Sequence, residues 1–74
     1  MNRKGLRYYK MCYYEIVINK NNKRKVECWG DEETAMKIYE KYRLTNNLIL
    51  TVFKVAVIDA YLSKIERTII AKNW

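Results

Sequence analysis

The sequence predicts an α+β fold, a small antiparallel sheet with one helix in the order ββαββ. Three patterns carry that expectation: a run of aromatic and β-branched residues broken once by a polar turn, an acid-led amphipathic segment after Gly30, and a Val- and Ile-rich stretch that is apolar on both parities. From Tyr8 to Asn19 the residues favour strand. Asn21-Asn22 and Lys23-Arg24-Lys25 are polar and turn-prone, and Val26-Glu27-Cys28-Trp29 then resumes alternation, so the first two elements form a hairpin. A slip of one residue exchanges the faces of a strand, which makes loop length decisive. A two-residue Asn21-Asn22 loop opposes Val17 to Val26 but sets Glu15 against Cys28. A three-residue loop, Asn21 to Lys23, pairs Ile18 with Val26 and Ile16 with Cys28, and is preferred because it keeps apolar residues opposite one another.

Gly30-Asp31 ends the hairpin and opens a helix. Asp31 is an N-cap residue, Glu32 and Glu33 suit the positive end of the helix dipole, and Lys41 and Arg43 suit its negative end. Ala35, Ile38, Tyr39 and Tyr42 repeat at the spacing of a buried stripe, and Thr45-Asn46-Asn47 closes the segment. Leu48 to Ile58 reads as a central strand covered on two faces. Beyond it, Arg67 to Lys72 pairs well as a last strand after a turn near Tyr61 to Lys64. The apolar spacing of Val55, Ile58, Leu62, Ile65 and Ile69 also fits a helix, so ββαβα is the alternative.

At 74 residues, with two glycines and no proline, the chain has no place for a linker, and residues 1–74 form a single domain. A chain this short buries only about 60% of the surface its unfolded form exposes, which excludes a large cofactor enzyme. Half the residues are hydrophobic, which argues against intrinsic disorder. The net charge of +7 is uneven: residues 1–30 carry +6, residues 31–43 carry −1 and residues 44–74 carry +2. Arg3, Lys4, Arg7 and Lys10 form one basic cluster, with residues 1–7 expected to be a flexible arm. Lys20, Lys23, Arg24 and Lys25 form the other. No apolar run long enough for a signal peptide or a membrane span is present, so a cytoplasmic protein without membrane contact is expected.

Sites for chemistry are sparse. The chain has no histidine, two cysteines sixteen residues apart, and one serine, Ser63, with no base beside it. In the preferred register Cys12 and Cys28 share a face as reduced, small hydrophobes. Capping accounts for Asp31-Glu32-Glu33 without a metal, and no glycine-rich loop offers a phosphate cradle. Neither an enzyme, a cofactor nor a small-molecule substrate is expected. The aromatic and basic residues are more informative. If the even-numbered face of the first strand lies under Ile38 and Tyr39, then Tyr9, Tyr13, Val17 and Trp29 are left on the other. Such a patch calls for a homodimer partner or for unpaired bases stacking between Arg7, Lys10, Arg24 and Lys25.

The segment Tyr13 to Tyr42, YYEIVINKNNKRKVECWGDEETAMKIYEKY, resembles the hairpin-then-helix openings of small phage and mobile-element proteins, among them anti-CRISPR and other anti-defence inhibitors. That resemblance implies a non-enzymatic inhibitor of a host complex. Many such inhibitors are acidic mimics of nucleic acid, whereas this chain is basic, so it would bind the nucleic acid of its target or an acidic protein surface. The sequence expectation is therefore a small basic protein acting on a nucleic acid or nucleoprotein machine through Arg3, Lys4, Arg7, Lys10, Lys20, Lys23, Arg24 and Lys25, with Tyr9, Tyr13 and Trp29. The alternative is a homodimeric protein-interaction module that uses its aromatic sheet face.

Overall fold

The computed structural model describes residues 11–45, 47–59 and 61–74; the expectations for Arg3, Lys4, Arg7, Tyr9 and Lys10 lie outside them. Strands β1 (Met11–Lys20) and β2 (Lys23–Trp29) precede helix α1 (Glu32–Arg43), followed by β3 (Ile49–Asp59) and β4 (Lys64–Lys72). All four strands join one antiparallel sheet in the order β2-β1-β3-β4. The order ββαββ matches the expectation, and β4 excludes the helical alternative for the last segment. The α+β label needs correction: strand makes up 60% of the described residues and helix only 19%, so this is a β-sheet protein with a single helical cover.

The hairpin register also needs correction. Lys20 pairs with Lys23 across a two-residue turn, Val17 with Val26, and Glu15 with Cys28. Asn21 and Asn22 both take left-handed backbone angles, φ 51° and 66°. Two successive left-handed residues give the turn whose twist matches that of the flanking strands, and asparagine tolerates this conformation better than most residues. Glu15 does not suffer from facing Cys28, because it finds Arg67 from β4, with Arg67 Nε donating to its Oε1 at 3.0 Å.

Alternation along the paired strands then assigns the faces. Under α1 lie Ile16, Leu50 and Val52, all fully buried, together with Tyr39 of the helix. Ile18, Trp29, Met36, Ile38, Tyr42, Leu48, Ile70 and Ala71 pack around them. A shift of register between Val52 and Phe53 lets both Ile70 and Ala71 reach this core. Trp29 was expected on the opposite face; the two-residue turn sets it opposite Tyr14 and under the helix. Its indole N–H is buried with no hydrogen-bond acceptor among the described residues. The same register separates the thiols, since Cys28 pairs with Glu15 on the open face while Cys12, three residues before Glu15, points to the helix side. Both are free.

Asp31 caps α1 as expected, its carboxylate accepting from Thr34 N at 2.7 Å and from Thr34 Oγ1 at 2.9 Å. These bonds hold its pKa below the ordinary value. At the other end of the molecule, Asn73 extends the sheet past β4. Its backbone N–H donates to Leu50 O at 3.2 Å, its side-chain oxygen accepts from Leu50 N at 2.7 Å, and its side-chain nitrogen donates to Leu48 O at 2.9 Å.

Candidate nucleic-acid interface

The hairpin tip gathers the strongest local charge among the described residues. Lys20, Lys23, Arg24 and Lys25 are all exposed, and they lie within six consecutive positions around the asparagine turn. Register divides them. Lys20 and Lys23 face each other across the turn, and Lys25 sits opposite Ile18, so these three share the helix side of the sheet; Arg24, opposite Asn19, points to the open side. Lys25 was expected to border the open aromatic face, and the two-residue turn moves it to the other side.

At the tip lies a concavity of about 570 Å³. Ile18 and Leu48 line it alongside Asn21, Lys20, Lys23, Lys25 and Arg24, which reaches its edge, giving an apolar floor with a cationic rim. Leu48 escaped sequence reasoning because nothing local to it signals that β3 begins beside the β1 tip; only the β1–β3 pairing of Asn19 with Ile49 brings them together.

One of the four cations is held in place. Lys25 Nζ lies 3.4 Å from Glu27 Oε2, and Tyr42 Oη of the helix donates to the same carboxylate, 3.0 Å from Oε1 and 2.9 Å from Oε2. Hydrogen bonding to Glu27 pushes the Tyr42 phenol above its ordinary pKa, because ionising it would set two anions together. Lys20, Lys23 and Arg24 make no ion pair among the described residues. They form an uncompensated positive field on a two-stranded ribbon closed by a two-residue turn.

The open face is chemically different. Tyr13, Glu15 and Val17 of β1 align with Val55, Phe53 and Thr51 of β3, and Arg67 and Ile69 of β4 continue the rows. Tyr13 and Val17 lie here as expected. Val17, Thr51 and Val55 are buried, while Val26, Ile65 and Ile69 at the margins are exposed. The Glu15–Arg67 pair crosses the middle, and Glu15 raises the Arg67 pKa by hydrogen bonding and charge. At one end Trp74 donates its indole N–H to Thr51 Oγ1 at 2.8 Å, with Lys72 Nζ 4.0 Å from its ring centre.

Among the described residues, no three acidic or cysteine side chains come together to hold a metal ion, and no helix is long and apolar enough to cross a membrane. In comparisons with protein-family models, curated proteins and solved structures, nothing matches this chain.

Proposed function

We propose that this chain is a small non-enzymatic binding protein that grips the phosphate backbone of a nucleic acid, free or within a nucleoprotein machine, with its hairpin tip. The observation that carries this reading is the set of three cations without an acidic partner, Lys20, Lys23 and Arg24, on a two-residue turn beside the Ile18–Leu48 concavity. Phosphate contacts of this kind position a protein without reading sequence, and each releases counterions on binding. The apolar floor suits the face of a sugar or base while the lysines hold the flanking phosphates. For a protein resembling small phage inhibitors of host defence, the matching target class is a CRISPR-type complex with an accessible guide or target strand.

The test is a salt titration of binding to a labelled single strand and to a duplex of the same sequence. Replacing Lys20, Lys23 and Arg24 by Ala should weaken binding and flatten the dependence of log K on log salt by about one unit for each phosphate no longer neutralised. An unchanged affinity and slope would sink the reading.

A further inference from the structure

We infer, on the reading that the hairpin tip binds phosphate, that the nucleic acid is single-stranded and that one of its unpaired bases stacks on Trp74. Antiparallel pairing brings the hairpin turn, the start of β3 and the residues after β4 to one end of the sheet. Two rows cross the open side there. Arg24, Asn19 and Ile49 form the outer row, and Val26, Val17, Thr51 and Lys72 form the inner one. Asn73 continues the sheet beyond β4, which carries the chain to Trp74 at the outer margin. Val17 and Thr51 are buried, so the inner row is a floor and the groups free to meet a ligand stand around it. Among them Arg24 and Lys72 are exposed and make no ion pair among the described residues. No acidic side chain belongs to either row.

Trp74 is fixed and exposed at the same time. Its indole N–H donates to Thr51 Oγ1 at 2.8 Å and Lys72 Nζ lies 4.0 Å from its ring centre, yet the residue is 61% exposed. A ring already held in one orientation loses little freedom when a planar ligand lies against it. The other strongly exposed aromatic among the described residues, Tyr61, lies at the opposite end of the sheet, where Asp59 stands opposite Lys64 and the charges balance. Stacking requires a base with a free face. A duplex spends the faces of its bases on its own stack, whereas a single strand offers them, and aromatic rings beside cations bind such strands with little regard to sequence. A base on Trp74 keeps its phosphate near Lys72. From there the strand crosses Ile49 and Asn19 to reach Arg24, three strand spacings or about 14 Å from β4, and then the lysines of the tip.

Labelled oligothymidylate and a labelled blunt-ended duplex, each titrated across a salt series, test the proposal. Trp74→Ala should weaken oligothymidylate binding roughly 5- to 150-fold, the range for losing one stacked base, while leaving duplex affinity and the salt slope unchanged. Trp74→Phe keeps a ring but loses the bond to Thr51, and its affinity should fall between those of Trp74→Ala and the wild type. That intermediate value separates lost stacking from a loosened margin of the sheet, which would weaken both variants alike. Tyr61→Ala should bind as the wild type does. If Trp74→Ala binds oligothymidylate like the wild type while replacement of Lys20, Lys23 and Arg24 abolishes binding, the stacking site is overturned and the phosphate-binding tip stands. An equal loss on strand and duplex would overturn it as well, since no unpaired base is then involved. A wild-type chain that binds neither probe would overturn the tip and the stacking site together.

Discussion

The two faces of this sheet are built from the same four strands and differ in how they treat charge. On the helix side, Ile16, Leu50 and Val52 are sealed beneath Tyr39, and the nearby polar groups belong to a peripheral network of Lys25, Glu27 and Tyr42. On the open side an ion pair lies in the centre and apolar residues surround it. A face completed within the chain can leave charges to its border. The open side has a buried centre of its own, Val17, Thr51 and Val55, and carries its ion pair across it.

Core truncation should expose that difference most strongly. Leu50→Ala removes a fully buried side chain beneath the helix and should cost about 2–5 kcal/mol in denaturant unfolding. Ile69→Ala, at a half-exposed position on the open face, should cost less than about 1 kcal/mol when the chain is dilute and monomeric. Equal costs at the two positions would erase the contrast between the faces.

Smaller effects probe the border of the helix side. Tyr42→Phe removes the hydrogen bond to Glu27 and should cost about 1 kcal/mol near neutral pH, toward the low side of such bonds because the site is partly solvated. The Tyr42 pKa lies above its ordinary 10.0 in the folded state, so its contribution is present below pH 10 and lost as pH rises through the folded value. Wild type and Tyr42→Phe should therefore converge in stability under alkaline conditions. Asp31→Ala should produce the smallest loss. The capped carboxylate has a pKa below its ordinary 3.8, so it contributes above that pH, and the contribution disappears as pH falls through the folded value. In acid, the variant and the wild type should unfold together.

The helix was the most legible part of the sequence, since its cap, dipole charges and apolar stripe are all encoded within a dozen residues. The existence of the hairpin was legible for the same reason. Its register was not. Apposing apolar residues was a sound rule for two strands in isolation, but Glu15 is satisfied by a residue 52 positions away that reaches over an intervening strand. The placements of Trp29, Lys25 and Cys28 all depended on that register. The cationic tip was visible as composition, whereas its Ile18–Leu48 floor appears only once β3 pairs with β1.

Asn73 shows how a side chain can take over the work of the main chain. Its carboxamide has the same donor and acceptor as a peptide unit, and it meets Leu50 N and Leu48 O as another strand residue would. The β3–β4 ribbon is thus fastened at both extremities, by a turn at one and by this amide clasp at the other. To peel from its loose end the ribbon must give up three bonds made by one residue, so that end is held more firmly than a single ladder bond would hold it.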